Sequence, residues 1–179
     1  MTVTVQEVAR YLRMGGTAPE GALAARIGEM IDEAARVLRP ARTWRRLPVA
    51  QIPAPGTTLL HHLEGCAEAY LVCGTLGPGL DALQRRVSVT SGADALIAQA
   101  VGAALIERYM DGVEGEIRAE LAPGETLRTR YSPGYGDFPL AAQRDILAIL
   151  DTSRRIGVSL TDSLLMVPSK SVSAVVGVA

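Results

Sequence analysis

The order of the predicted elements indicates an α+β fold, in which N-terminal helices and a long central helix accompany a mixed sheet. Two helical segments come first, and strands and helices then follow without the regular βαβ alternation of a doubly wound sheet. A β-branched run near the end adds a strand rather than a further helix. With 179 residues, the chain is long enough for one domain, or for a small domain with a helical extension.

Helical periodicity dominates the first forty residues. Residues 5–14 and 19–38 are predicted helices because apolar side chains recur at helical spacing, and Gly15-Gly16 separates the two segments. We therefore predict a helical N-terminal extension at residues 1–40 and an α+β core at residues 41–179.

Short strand patterns follow in the next segment. Residues 43–49 alternate as a strand does, residues 57–60 are a further short strand candidate, and residues 69–73 form a compact apolar run typical of a buried strand. Residues 52–56 contain two prolines and a glycine, which predicts a turn between the first two of these strands.

Residues 74–79 form a glycine-rich segment that superficially suggests a dinucleotide-binding loop. Its spacing is Gly-x-x-Gly-x-Gly rather than Gly-x-Gly-x-x-Gly, and Pro78 removes a backbone donor that a phosphate cradle needs. We therefore predict a structural turn, followed by a helix that begins near Leu80. The longest helical candidate, residues 92–121, is apolar around much of its circumference, which predicts a largely buried central helix.

The last third of the chain combines one helix with two strands. Residues 140–150 are amphipathic and follow Pro139, with Asp137 as a candidate cap for this helix. Residues 164–167 and 171–178 are strand candidates, linked by a turn that contains a proline.

Composition and charge exclude several classes of function. A net charge of −1 provides no field for steering nucleic acid or anionic lipid, and charges interrupt the N-terminus where an export signal needs an apolar centre. The apolar run at residues 172–179 is well short of the ~20 residues that a membrane helix requires. Two cysteines are too few for a disulfide framework, so we expect a cytoplasmic protein. From the charge and the short apolar run, we expect no nucleic-acid or membrane partners.

Isolated reactive side chains do not form a recognisable catalytic group. Adjacent His61 and His62 would point to opposite faces of a strand and have no cluster of further ligands around them, so we predict no metal site. Cys66 and Cys73 are expected to be small buried side chains rather than nucleophiles. We identify no catalytic acid, base or nucleophile.

The segment from Arg130 to Pro139 is the strongest candidate for a ligand site. It holds three of the seven aromatic residues of the chain, and its two glycines and two prolines rule out an ordinary helix or central strand. An arginine fork can grip a carboxylate, glycine backbone can approach a flat ring, and a tyrosine face attracts a soft cation. Arg130, the Pro133-Gly134 backbone and Tyr135 therefore suit S-adenosylmethionine, or another amino-acid-like or nucleotide-like ligand.

Two motifs follow one another in the last third of the chain. The first is Arg-x-x-Pro-Gly-Tyr-x-x-x-Pro, which begins at Arg130, and the second is Gly157–Pro168 followed by Ser171-Val172-Ser173. Together they resemble the reactivation domain of cobalamin-dependent methionine synthase, a family that also occurs as free-standing proteins. The resemblance implies the free-standing form of that domain. It also implies an activation domain-like fold, in which a mixed, largely antiparallel sheet is packed by the long central helix.

The resemblance further implies which residues bind a ligand. In that family, the motif arginine, the backbone after it and the motif tyrosine contact S-adenosylmethionine, which implies the same role for Arg130, Ser132, Pro133, Gly134 and Tyr135. Acidic residues from the central helix and from the segment before the motif are also expected, and they correspond approximately to Glu107 and Glu125.

The implied function is that of a reactivation subunit. In this role, S-adenosylmethionine remethylates the cobalamin of a methionine synthase after the oxidised cob(II)alamin has been reduced. The chain would be a methyltransferase component of methionine biosynthesis that acts only with a cobalamin-bearing partner. Because no counterpart of the family's N-terminal acidic contact is obvious, a corrinoid-protein-binding module without S-adenosylmethionine is an alternative. A sensor or enzyme for another amino-acid-like ligand is a further one.

Overall fold

A three-stranded antiparallel sheet with helices on both faces forms the centre of the fold. The computed structural model describes residues 1–12, 14 and 18–179, and the predicted break at Gly15-Gly16 lies outside the described residues. The strands are β1 (Ala41–Pro48), β2 (Glu68–Thr75), β3 (Ser159–Leu160), β4 (Met166–Val167) and β5 (Ser171–Val178). The helices are α1 (Val5–Tyr11), α2 (Gly21–Val37), α3 (Gly56–His62), α4 (Gly79–Thr90), α5 (Gly92–Ala119), α6 (Gln143–Leu150) and α7 (Thr152–Ile156), with 3-10 turns at Val49–Gln51 and Leu140–Ala142.

The central strand β2 separates two hydrophobic cores. The strand order is β1-β2-β5, with β2 antiparallel to both neighbours, and β3 pairs with β4 in a separate two-stranded sheet. Tyr70 and Val72 face the core formed with α1, α2, α4 and α5. Leu71 and Cys73 face the second core, formed with α3 and α6. Burial on both faces explains why this strand is a continuous apolar run, and the predicted buried strand is confirmed.

Helix α5 packs closely on the sheet and is the predicted central helix. Its buried side chains include Ile97, Val101, Met110 and Ile117. At its start, Ser91 Oγ accepts a hydrogen bond from Asp94 N at 3.1 Å, which satisfies one of the free N–H groups of the first turn. Gly74 of β2 allows the close approach, because a Cβ there would lie 2.5 Å from Met110 Sδ.

The N-terminal helices pack into the same core as α5. Val8 of α1 and Met30 of α2 are fully buried there. Arg26 of α2 also donates two hydrogen bonds to Asp94, at 2.9 and 3.0 Å, and so ties α2 to the start of α5. The division of the chain at residue 40 stays a prediction, and the side chains on either side of it share one core.

Three local predictions differ from the structure. Residues 57–60 belong to α3, and the predicted strand there is wrong because Asp137, some eighty residues away, caps the start of a helix. The prediction that Asp137 caps the helix at residues 140–150 is wrong for the same reason, and α6 begins at Gln143 after a 3-10 turn. The strand predicted from residue 164 contains only Met166–Val167, because Leu164 has φ 64°, a left-handed conformation that cannot continue a strand.

The glycine-rich segment after β2 is a structural turn. The hydroxyl of Thr75 accepts a hydrogen bond from Gly77 N at 3.1 Å, and Leu76 N donates to Lys170 O at 2.9 Å. These N–H groups are therefore used within the protein rather than offered to a phosphate.

In the part of the chain that the structure describes, no helix is long and apolar enough to cross a membrane.

The two cysteines differ in environment, which predicts different reactivity. Cys73 is fully buried, and burial raises the pKa of its thiol to about 12, whereas Cys66 is half-buried. Because the thiolate is the reactive form, we expect the folded protein to react with one equivalent of iodoacetamide at neutral pH, at Cys66. Mass spectrometry of labelled peptides measures this. The variant Cys66→Ser should remain unlabelled until it is unfolded, and rapid labelling of Cys73 in the folded protein would contradict the structure.

Candidate functional site

A cavity of about 590 Å³ lies between α5, β5 and the loop that contains the proline- and glycine-rich motif. Pockets for small molecules commonly have volumes of about 300–1,000 Å³, so the cavity is of ligand size. Four elements, α5, α6, β4 and β5, and one loop supply its lining residues. These residues are Glu107, Asp111, Glu114, Thr129, Arg130, Tyr131, Ser132, Pro133, Tyr135, Gln143, Met166, Ser171, Val172 and Ser173.

The motif loop is held against the start of α3 by Asp137. Its carboxylate accepts hydrogen bonds from Thr57 N at 2.8 Å, from Thr58 N at 2.9 Å and from Thr58 Oγ1 at 2.5 Å. The same hydroxyl accepts hydrogen bonds from Tyr131 Oη at 3.0 Å and from Asp137 N at 3.2 Å. Gly136 has φ 54°, and a Cβ there would lie 2.7 Å from Tyr131 Oη, so this position requires glycine.

Further contacts fix the ends of the loop. Tyr131 exchanges two backbone hydrogen bonds of 2.9 Å with Val175 of β5, and Phe138 is buried in the second core. Within the loop, Gly134 N donates to Phe138 O at 2.8 Å. Tyr135 is 65% exposed at the rim of the cavity, where its ring contacts that of Tyr131 edge to face with 6.2 Å between centroids, so much of the ring remains accessible.

Arg130 lies on the cavity wall and contacts three carboxylates of α5. Nη1 donates to Glu114 at 2.7 Å, and Nη2 donates to Glu107 and to Asp111, each at 3.0 Å. Burial lowers the pKa of Arg130, but the charge of Glu114 and the hydrogen bond to Asp111 outweigh it, so the pKa is raised above its usual value. The guanidinium is therefore charged, and one positive charge faces three negative ones.

The back wall of the cavity is polar but uncharged. Gln143 is buried, donates to Leu164 O at 3.0 Å and accepts a hydrogen bond from Ser173 Oγ at 3.3 Å. Ser171 is also buried, and its Oγ lies within hydrogen-bond distance of Pro168 O, at 2.7 Å, and of Thr75 Oγ1, at 2.8 Å. Because buried polar groups without partners are costly, these side chains are held in fixed orientations by their own hydrogen bonds.

The structure brings together most of the residues that the sequence predicted for the site. Arg130, Ser132, Pro133, Tyr135 and Glu107 line the cavity. Gly134 lies between two lining residues of the same loop, although it is not itself in the lining.

Glu125 lies elsewhere, and two other acids line the cavity. Glu125 forms two hydrogen bonds to Arg46, at 2.5 and 3.1 Å, and it is not among the lining residues. Asp111 and Glu114 line the cavity, and the sequence reasoning missed them. The available signal was their spacing, because residues 107, 111 and 114 share one face of a helix.

The adjacent histidines His61 and His62 lie at the end of α3. Nε2 of His62 is 2.9 Å from Thr129 O, and the centroid of its ring is 5.2 Å from that of Tyr131. Among the residues that the structure describes, no group of three or more His, Cys, Asp or Glu side chains could hold a metal ion.

The fold and the cavity define an α+β domain with a ligand-sized site built on a proline- and glycine-rich loop. Residues 97–178 match the family described as vitamin B12 dependent methionine synthase, activation domain. The match extends from α5 through the motif loop to β5, and it confirms over this part of the chain the resemblance that the two motifs indicated.

Comparison of structures supports the same fold. The chain is similar to a crystal structure of the MetH reactivation domain bound to AdoHcy, with a TM-score of 0.66 and 16% sequence identity. The similarity covers 99% of this chain and 77% of that chain. It confirms the predicted α+β, activation domain-like fold. A comparison with curated protein sequences found no match.

The cap formed by Asp137 predicts a pH-dependent contribution to stability. The hydrogen bonds from the Thr58 side chain, then those from the Thr58 and Thr57 amides, hold the pKa of Asp137 well below its usual value of 3.8. A lowered carboxyl pKa stabilises the folded state above the unfolded pKa, and this stabilisation is lost as the pH falls toward the folded pKa. We expect Asp137→Asn to lower the melting temperature by a few degrees at neutral pH and by less at about pH 3.

Thermal unfolding followed by circular dichroism measures both differences. Asp162→Asn is the matched control, because the Asp162 carboxylate is exposed and accepts no hydrogen bond from the described residues. Equal melting temperatures for the wild type and Asp137→Asn at neutral pH would show that this cap does not stabilise the fold.

Proposed function

We propose that the cavity binds S-adenosylmethionine and that the chain is the reactivation component of a cobalamin-dependent methionine synthase. The observation that carries the proposal is the position of Arg130 and Tyr135 on one cavity, within a loop that matches the activation domain family. In this role the chain is a methyltransferase component that acts together with a cobalamin-bearing partner.

The charges and shapes of the lining suit the parts of this ligand. The guanidinium of Arg130 can bind the carboxylate, and the exposed ring of Tyr135 can face the sulfonium. The carboxylates of Glu107 and Asp111 can accept hydrogen bonds from the ligand's ammonium group. The backbone of residues 132–134 and the serines of β5 offer donors and acceptors to the nucleoside.

Arg130 can bind the ligand carboxylate in two ways, with its free donors or after a rearrangement of its ion pairs. Three of the five N–H donors of a guanidinium are used here by α5 carboxylates. Glu114 is as little exposed as Arg130, each with 17% of its side chain accessible, whereas Glu107 and Asp111 are 49% and 62% exposed. The ligand carboxylate therefore reaches the free donors or displaces the two exposed acids, while the pair with Glu114 keeps the guanidinium in place.

The catalytic contribution of the chain is orientation. Methyl transfer requires a close and nearly in-line approach of the nucleophile to the methyl group. Cobalamin on the partner supplies that nucleophile, so this chain needs no acid or base for the step. Its residues would hold the donor at the mouth of the cavity with the methyl group accessible.

One observation favours a second candidate function, a module that binds a corrinoid protein without S-adenosylmethionine. Both Nη atoms of Arg130 already contact protein carboxylates, and Glu125 is paired with Arg46 outside the cavity. A ligand must compete with the carboxylates that contact Arg130, and it gains no contact from Glu125. The two functions differ in whether S-adenosylmethionine binds at all.

We expect S-adenosylmethionine to bind saturably, and Tyr135→Ala to weaken binding by roughly three- to thirtyfold, the range for loss of one cation–π contact. Isothermal titration calorimetry measures both. Because Tyr135 is 65% exposed, its removal should leave the melting temperature unchanged. Leu96→Ala is the control, since Leu96 is 67% exposed and lies about three helical turns before Glu107 on α5. Absence of saturable binding by the wild type would favour the second candidate.

Reactivation itself can be tested with a methionine synthase from which the reactivation domain has been removed. With an electron donor and S-adenosylmethionine present, we expect the inactive cob(II)alamin form to regain activity only when this chain is added. The recovery should be slower with Tyr135→Ala, in line with its weaker binding. Physical association with the synthase without any recovery would support the module that binds no donor.

A further inference from the structure

A second cavity, of about 300 Å³, adjoins the cavity of the candidate site. Glu107 and Asp111 of α5 line both cavities, so the two spaces share one wall. The opposite wall of the second cavity comes from α1, and its other lining residues are Glu7, Arg10, Tyr11, Ala104 and Arg108. The N-terminal helix therefore lies beside the candidate site as well as in the hydrophobic core.

The guanidinium of Arg10 is the available cation of this second cavity. The other cation, Arg108, is paired with Glu7 of α1. Arg10 lies in the last turn of α1 and is exposed, and among the residues that the structure describes its side chain forms no hydrogen bond or ion pair. Its five N–H donors are therefore open to a ligand, whereas three of those of Arg130 are already used.

Tyr11 shows that the end of α1 is close to the shared wall. Burial raises the pKa of its hydroxyl, the charges of Glu107 and Asp111 raise it further, and the charge of Arg10 opposes them. The phenol, the guanidinium of Arg10 and the two shared acids therefore lie within Coulomb range of one another. A ligand group at the shared wall can reach α1 from the main cavity.

We propose that Arg10 binds the carboxylate of the ligand together with Arg130, so that α1 supplies a specificity-determining residue for the amino-acid end of the ligand. The inference rests on the proposed function. A carboxylate bound by Arg130 alone would lie beside the protein carboxylates that contact the same guanidinium, and like charges repel. A second guanidinium from the adjoining cavity offsets this repulsion.

The carboxylate is the part of the ligand that Arg10 suits. A planar guanidinium can donate two parallel hydrogen bonds to a carboxylate, whereas the ammonium and sulfonium groups would be repelled by it. The amino-acid end of the ligand then points toward α1, and the nucleoside lies toward the motif loop and the serines of β5. Glu107 and Asp111, which are 49% and 62% exposed, have room to turn aside between the two arginines.

Calorimetric titration with S-adenosylmethionine and with its decarboxylated form tests the inference, because the two ligands differ only in the carboxylate. At low salt, where exposed charges are least screened, we expect Arg10→Gln to bind S-adenosylmethionine roughly fivefold more weakly than the wild type, as for loss of an exposed ion pair. The affinity for the decarboxylated ligand should not fall. The loss therefore depends on the ligand carboxylate, which a general disturbance of the fold would not produce.

Arg154→Gln is the matched control and should bind both ligands as the wild type does. The side chain of Arg154 is 86% exposed and lines neither cavity. Circular dichroism establishes that each variant is folded. Arg10→Lys provides a second measurement that keeps the positive charge at the end of α1. Because an ammonium cannot donate the paired hydrogen bonds of a guanidinium, it should show a smaller loss of the same kind.

The failure of this inference can be distinguished from the failure of the proposed function. Unchanged binding of S-adenosylmethionine by folded Arg10→Gln overturns the role of Arg10 and leaves the proposed function standing. An equal loss of affinity for both ligands also overturns it, because the effect would not depend on the carboxylate. If the wild type does not bind S-adenosylmethionine, the proposed function fails and the inference fails with it.

Discussion

The carboxylate of Asp137 at the start of α3 is the contact on which the geometry of the site depends. It satisfies two backbone N–H groups that the first turn of a helix leaves without partners, and it accepts the Thr58 hydroxyl as well. Because the same hydroxyl also binds Tyr131 and the Asp137 amide, one threonine links both halves of the motif loop. Tyr135 can therefore be exposed at the cavity rim while the loop that carries it is held on both sides.

Helix α5 belongs both to the hydrophobic core and to the wall of the cavity. One side of the helix packs against the sheet and the N-terminal helices, and another side carries the carboxylates that contact Arg130. Exposed ion pairs contribute little to stability, whereas the less exposed pair of Arg130 and Glu114 is more sensitive to the loss of either partner. Helix α5 therefore contributes both to the hydrophobic core and to the wall of the cavity.

The sequence predicted elements whose signals are local and missed those that depend on distant contacts. The buried run of β2, the long apolar helix α5 and the alternating C-terminal strand were all visible as periodicity. Residues 57–60 were not recognisable as helix, because their cap comes from Asp137 in another part of the chain. The motif correctly indicated Arg130 and Tyr135 as cavity residues, but the partners of Arg130 depend on how the loop packs against α5. Sequence position alone therefore grouped Glu125 with the site instead of with Arg46.

The two outer strands of the main sheet protect their unpaired backbone in different ways. Beyond β5, Leu127 and Tyr131 form bridges to Val178 and Val175, so the segment leading into the motif covers that side. In the described residues no strand lies beyond β1, which instead carries three arginines and ends at Pro48. Charged side chains and a proline discourage the addition of a foreign strand. The segment that lines the cavity thus also covers one margin of the sheet, and a variant that loosens it would expose this margin to aggregation and distort the cavity at the same time.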